Sequence, residues 1–332
     1  MRFRLVPLLA MSLLLLVTTC TEMLAATVPP DIKKVVTFVF LADEQGNLKH
    51  DSTGSPIPYG TGFFVGVNAK QPNKGIYGYF VTAKHVLADA TGNLFSRVFV
   101  RLDKKGGDVE YIPLDLLNKG QKTVYTHSDA SVDIAMVPWM PDQAKFDFKI
   151  IPEDMLTTEE KFSELHIAEG SEVFFAGLMV QFAGEHRNYP VFRFGRVAML
   201  PDEPLKWVDD PSKPPALVKL YLLETQSFGG NSGSPVFFYL GIDRQPGSIS
   251  IGPPSIALAG IMRGTFLNST PVKFAQSPTA VIPYTPENIG VAAVTPSYFL
   301  HQVLFSEELT KFREDNPIAF PSLPVWLNRV GH

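Results

Sequence analysis

Three observations predict an all-β protein built from two antiparallel units. Short apolar runs rich in Val, Phe, Ile and Tyr alternate with clusters of Gly, Pro, Asn and Asp. Helical periodicity is scarce. No run of strand character alternates with a long helix, so a parallel α/β sheet is excluded. The runs are residues 35–41, 62–67, 77–82, 97–102, 122–127, 133–137 and 172–178, then 191–200, 217–224, 235–240, 256–262 and 291–294. Their residue types suit a pleated, half-buried surface. Asn73-Lys74-Gly75 reads as a hairpin tip. The two units meet near residues 153–170. Residues 159–165 read as a turn or two of helix, and Pro296 followed by 297–304 as a short C-terminal helix. Residues 201–215, with five prolines, and the Gly/Pro/Ser-rich 243–254 read as loops. The stretch 306–332 has mixed polarity, with Pro317, Pro321 and Pro324, and shows no clear pattern.

Composition narrows the classes further. Of 332 residues, 45% are hydrophobic and 19% charged, enough apolar surface for a core and too much for a disordered chain. The 25 Gly and 28 Pro fall well below the ~25–30% of low-complexity chains, and a collagen, coiled-coil or disulfide scaffold is excluded. Arg2 and Arg4, the apolar run 5–17 and Leu24-Ala25-Ala26 read as a secretory signal over residues 1–26. The apolar run is shorter than the ~20 residues of a membrane span, so no stable span remains after cleavage following Ala26. The single cysteine, Cys20, lies in this leader; lipidation there is the alternative, although Val17-Thr18-Thr19 is a poor approach to a lipidated cysteine. A cysteine-free exported chain suits a bacterial envelope, so the expectation is a secreted or periplasmic protein. Without the leader the chain carries 27 basic and 32 acidic side chains, scattered rather than clustered, and no nucleic-acid footprint.

Acyl transfer by a serine needs an activated hydroxyl, a base oriented by a carboxylate, and backbone N–H donors for the oxyanion. Gly229-Gly230-Asn231-Ser232-Gly233-Ser234-Pro235 offers the hydroxyl, Ser232, among glycines that permit positive-φ turns and let N–H groups converge. Taken alone, it is equally an ordinary loop between strands. His85 follows a strand ending at Thr82, where an imidazole can be presented at a rim; alone, it reads as a surface histidine. Asp133 opens the apolar run Ile134-Ala135-Met136-Val137, and a buried carboxylate there requires donors. Asp129 is its competitor in a more polar stretch.

Taken together these segments resemble the trypsin-like (chymotrypsin-fold) serine peptidases, particularly the cysteine-free bacterial ones. Thr82-Ala83-Lys84-His85 resembles the family's Thr-Ala-x-His, and Asp133-Ile134-Ala135 its Asp-Ile-Ala. Gly230-Asn231-Ser232-Gly233-Ser234-Pro235 resembles its Gly-Asp/Asn-Ser-Gly-Gly-Pro, and Gly60-Thr61-Gly62-Phe63 the strand before its histidine. The order His, Asp, Ser and the spacings of 48 and 99 residues also fit, over roughly residues 35–305. The resemblance implies two six-stranded antiparallel β-barrels packed face to face with the active site in the cleft, at 31–165 and 166–305, followed by a tail at 306–332. It implies a serine endopeptidase acting on a protein or peptide without cofactor or metal: His85 as base, Asp133 as its orienter, Ser232 as nucleophile, and the N–H groups of Gly230 and Ser232 as oxyanion hole. The alternative within the same fold is a catalytically weak or inactive protein that binds peptides or a partner in its cleft. An α/β-hydrolase esterase is disfavoured, because Ser234 stands where the nucleophile elbow needs glycine and the order of the residues differs.

The sequence departs from the family pattern in places. Ser234 replaces the second glycine, which requires a compatible φ. Asn231 cannot pair with a freed N-terminal ammonium as an aspartate does, so no trypsinogen-type activation is expected. By the same alignment Gln226 lies at the base of the specificity pocket, without the charge a Lys/Arg preference needs. Arg263-Gly264-Thr265 stands where the family has Ser-x-Gly, so that Arg263 either pairs with Asp133 or narrows the pocket. His50, His127, His166, His186, His301 and His332 show no metal-ligand spacing, the Phe-rich pieces read as core, and Asn268-Ser269-Thr270 is a glycosylation acceptor only in a eukaryotic host.

Overall fold

In the computed structural model, residues 27–69, 75–118, 122–207, 214–241, 255–271 and 284–316 are described. The leader with Cys20, the tip residues Asn73 and Lys74, the loop 243–254, the chain beyond Asn316 and the side chains of Asn268-Ser269-Thr270 lie outside that description. The protein is mostly strand. The N-terminal half holds β1 (Val36–Leu41), β2 (Pro58–Asn68), β3 (Ile76–Thr82), β4 (Arg97–Asp103), β5 (Val109–Asp115), β6 (Tyr125–Thr126), β7 (Ala135–Val137) and β8 (Ile151–Pro152). The C-terminal half holds β9 (Glu172–Gly177), β10 (Val191–Met199), β11 (Leu205–Trp207), β12 (Ala216–Val218), β13 (Tyr221–Glu224), β14 (Pro235–Leu240), β15 (Ser255–Pro271) and β16 (Tyr284–Pro296). Helix α1 (Glu159–Glu164) lies between the halves, and α2 (Ser297–Leu304) and α3 (Glu307–Asp315) close the chain.

The C-terminal half is a closed six-stranded barrel in the order β10-β13-β16-β15-β14-β9. The N-terminal half departs from the expected second barrel. It is an open eight-stranded sheet, β5-β4-β1-β2-β3-β7-β6, with β8 pairing parallel to β2. The difference is at its ends: β6 has only two residues, both paired with β7, and among the described residues no pairing joins it to β5. Two further differences concern segments expected to be irregular. Within residues 201–215 the chain forms β11, which pairs with β12 as a two-stranded ribbon whose Trp207 and Val218 are buried. The segment after residue 306 begins with α3, capped by Ser306 through its hydroxyl and the Leu309 N–H. Arg313 on α3 donates to the Tyr79 hydroxyl at 3.0 Å, and Lys122 meets Glu308 at 2.7 Å, so this helix packs against the N-terminal sheet.

Burial explains which strands form. On β2 and β3, Phe63, Phe64, Phe80 and Val81 are wholly buried, and the close pairing leaves room only for glycine at 62, whose missing Cβ would strike the Phe80 ring. Within the barrel, Phe175, Tyr221, Leu223, Phe238 and Met262 form one cluster, against which Phe162 of α1 packs edge-on. Phe38 and Phe40 of β1 pack with Ala176 and Leu178 from β9 and its end, joining the two halves. The joint has a polar centre in Arg101 on β4, which is 2% exposed. Its Nη1 donates to Gly184 O at 2.8 Å and its Nε to Asn188 Oδ1 at 2.8 Å, and Nη2 donates to Ala183 O. The guanidinium lies over the rings of Phe38, Phe40 and Tyr111.

Candidate active site

Three local structures bring the candidate residues into one region. Strand β3 ends at Thr82, and Lys84–Leu87 make one 3-10 turn in which Val86 and Leu87 are buried and His85 is exposed. The apolar pair thus anchors the turn and leaves the imidazole outward. Asp133 sits just before β7, which pairs with β3, so both residues lie at one end of that pair. Lys84 ties the second loop down by donating to Ala130 O at 2.6 Å. Asp129, the competing carboxylate, is exposed and accepts from Ser131 within its own turn. Only Asp133 of the two meets His85 among the described contacts.

The pairing is two-pronged. Oδ2 of Asp133 lies 2.7 Å from Nδ1 of His85, and Oδ1 accepts the His85 backbone N–H at 3.0 Å. An ionised carboxylate only accepts, so Nδ1 carries the proton, and in the neutral ring Nε2 presents a lone pair. Asp133 is 4% exposed. Burial opposes its ionisation, but the charge of His85, their hydrogen bonds and, less strongly, the charge of Arg263 outweigh it and hold the carboxyl at about 2 against 3.8. A depressed native pKa contributes stability that is complete above the unfolded value and is lost as the pH falls through the native one. The stability difference between the wild type and Asp133→Asn is therefore expected to shrink between pH 3.8 and about 2. Thermal melts of both proteins across that window check it, and a constant difference would contradict the pairing.

The serine loop is held against the histidine side by a chain of polar contacts. Thr61 on β2 is central: its N–H donates to Ser232 O at 2.9 Å, and its hydroxyl donates to Gly230 O at 2.6 Å while accepting the Leu178 N–H at 2.9 Å. Asn231, buried, accepts the Phe228 N–H at 2.8 Å and donates through Nδ2 to Leu178 O at 2.7 Å. Its carbonyl end is satisfied inside the loop and its amino end by the segment after β9. Gly230 and Gly233 have φ of +94° and +85°, the left-handed region. A Cβ on Gly233 would collide with Thr61 O and the Thr82 hydroxyl, so the loop touches the strand end from which His85 is presented. Ser232 is half-buried, and its Oγ donates to Arg263 O at 3.2 Å. Among the described residues, no protein acceptor takes the N–H of Gly230 or of Ser232. Ser234 has no positive φ and is wholly buried; its side chain fills the space above Gly177.

The residues expected around a specificity pocket lie on neighbouring segments. Gln226 is exposed, whereas Ser227 beside it is buried. Thr265 donates to Val291 O at 3.0 Å and its hydroxyl lies 3.2 Å from Asn288 Oδ1. Asn288 Nδ2 donates to Ser227 O at 2.7 Å, which joins Ser227 to Thr265 through a residue the sequence reading does not single out. Arg263 does not point outward: it is 8% exposed, lies 5.3 Å from the Trp207 ring, and donates through Nη1 to Ser131 O at 2.9 Å. Thr61 lies in a motif singled out only as a strand and Asn288 in none; their partners, distant in the chain, reveal their roles. Among the described residues no group of three or more His, Cys, Asp or Glu could hold a metal ion, and no helix is long and apolar enough to cross a membrane.

No protein-family model matches the chain, and no curated protein matches it. A solved structure described as "atomic resolution structure of HBP" is similar at 11% identity, over 89% of this chain and 97% of that one, with a TM-score of 0.40.

Proposed function

We propose that the chain is an exported, secreted or periplasmic, serine endopeptidase that hydrolyses peptide bonds through a Ser-His-Asp triad and an acyl-enzyme. The observation that carries this reading is the bidentate hold of the buried Asp133 on His85. In the fold that goes with it, the N-terminal sheet stands for the first of two facing barrels. Ser232 gives up its hydrogen bond to Arg263 O and passes that proton to Nε2 of His85 as Oγ attacks the scissile carbonyl. Asp133 keeps Nδ1 protonated and stabilises the imidazolium, which then protonates the leaving amine. The carbonyl oxygen, now anionic, is received by the N–H groups of Gly230 and Ser232, each worth ~2.7–4 kcal/mol in the transition state. Water repeats the sequence and releases the acid.

A second reading is a non-catalytic member of the same fold that binds a peptide or protein partner in the cleft. It is favoured by the resting hydrogen bond of Ser232 to Arg263 O and by the arginine itself. The test compares the protein beginning after Ala26 with its Ser232→Ala variant, using a fluorophosphonate probe and unfolded casein. Labelling and cleavage that both vanish in the variant are expected. A folded wild type that takes no label would remove the enzyme reading and leave the binding one.

A further inference from the structure

We propose that Arg263 is a positioning residue, a buried cation that supports the His85–Asp133 pair from behind and joins it to the nucleophile's segment. The proposal rests on the serine-peptidase reading for its catalytic consequence, though not for its geometry.

Arg263 reaches both sides of the site. Its side chain donates to Ser131 O, two residues before Asp133, and its own carbonyl accepts the Ser232 hydroxyl. One step earlier in the chain, Met262 exchanges backbone bonds with the serine loop, accepting from Gly233 N at 2.8 Å and donating to Ser234 O at 2.9 Å. The guanidinium is held in place by the ribbon: Trp207 lies against it, buried with Val218, Leu220 and Ala293. The indole also covers Gly264, where a Cβ would lie 3.9 Å from Cζ2. Strand β11, formed by residues expected to be a loop, thus supplies the wall behind Arg263.

A cation this buried requires compensation, and the buried anion it acts on is Asp133. Both groups are shielded from water, so their attraction is screened less than a surface pair's. Among the described residues, the charged groups around the pair are Arg263 from β15, Lys84 from the 3-10 turn and Asp129 from the loop before β7, with His127 and Lys219 acting on Asp129 in turn. Within this set the charge of Arg263 favours the ionised carboxylate and opposes a further positive charge on the imidazole.

Three substitutions separate charge from packing. Arg263→Gln keeps a donor for Ser131 O without charge, Arg263→Met keeps only volume, and Arg263→Lys keeps the charge. NMR titration of the His85 ring is expected to show its pKa raised in the Gln and Met variants and near the wild-type value in the Lys variant. The rate of fluorophosphonate labelling at neutral pH is expected to fall about tenfold in the first two and to recover as the pH is raised. His85 titration curves of the Gln variant that superimpose on the wild type would overturn the proposal, and this variant decides if the Met variant fails to fold. If the wild type takes no label, the peptidase reading falls, while the titration still decides the role of Arg263.

Discussion

Replacing Gly233 with alanine is expected to lower the melting temperature by about 4–20 °C and to abolish labelling of Ser232. The backbone at 233 has φ +85°, which costs an L-residue with a Cβ roughly 1–2 kcal/mol. The new methyl would also meet Thr61 O and the Thr82 hydroxyl, and forced overpacking costs about 1–3 kcal/mol more. At roughly 2–4 °C per kcal/mol for a protein of this size, the melting range follows. The functional loss has a separate cause: the only relief open to the loop is to move away from the end of β3, which carries Ser232 away from His85. Calorimetry and labelling on the same preparation check both parts. A variant that melts and labels like the wild type would show that the loop does not need its contact with Thr61 and Thr82.

Arg101→Met is expected to cost about 3 kcal/mol, since three part-buried neutral acceptors lose their donor at ~1 kcal/mol or more each. Three acceptors, the carbonyls of Ala183 and Gly184 and the side-chain oxygen of Asn188, lose their donors together. All three belong to the segment after β9, whose first residue, Leu178, holds Asn231. Limited proteolysis is therefore expected to open the chain near residues 183–189 before any other site, and chemical denaturation to give the stability loss. Arg101→Lys should fall between the two, since an ammonium keeps the charge without the planar fork. A loss below about 1 kcal/mol in the Met variant would mean that the apolar joint of Phe38, Phe40, Ala176 and Leu178 suffices.

Much of this molecule was legible because its signals are local. The apolar runs that become β1, β3, β4, β9 and β14 are buried on at least one face, so period and composition reported them. The short helices announced themselves through Pro296 and the acidic turn at 159–160. The segments around His85, Asp133 and Ser232 carry their resemblance only together, since each alone also reads as an ordinary loop, surface or strand-end residue. What stayed hidden depends on partners far away in the chain. Strand β5, Val109–Asp115, is an edge strand with one buried residue, and Pro113 interrupts its run. The ribbon of β11 and β12 forms because Trp207 and Val218 find Leu220 and Ala293, a fact no window around residue 207 contains. Barrel closure is likewise a statement about pairings: it was expected of both halves, but among the described residues no pairing joins β6 to β5 to close the first. The roles of Thr61, Arg101 and Asn288 lie in hydrogen bonds spanning 169, 87 and 61 residues.

The packing of Ser234 over Gly177 makes these two positions genetically dependent. A Cβ at 177 would run into the Ser234 hydroxyl, so a side chain at 177 is tolerated only after 234 has lost its own. Glycine at 234 removes the closest of these contacts and leaves the Thr61 hydroxyl, 3.2 Å from the new Cβ, as the remaining neighbour that must give way. The order of substitution along a lineage is then constrained: 234 must shrink before 177 grows, and the reverse order passes through a damaged intermediate. In a double-mutant cycle, Gly177→Ala alone should be costly, Ser234→Gly alone mild, and the pair more stable than the sum of the two losses. Two sites 57 positions apart in the sequence thus drift as one.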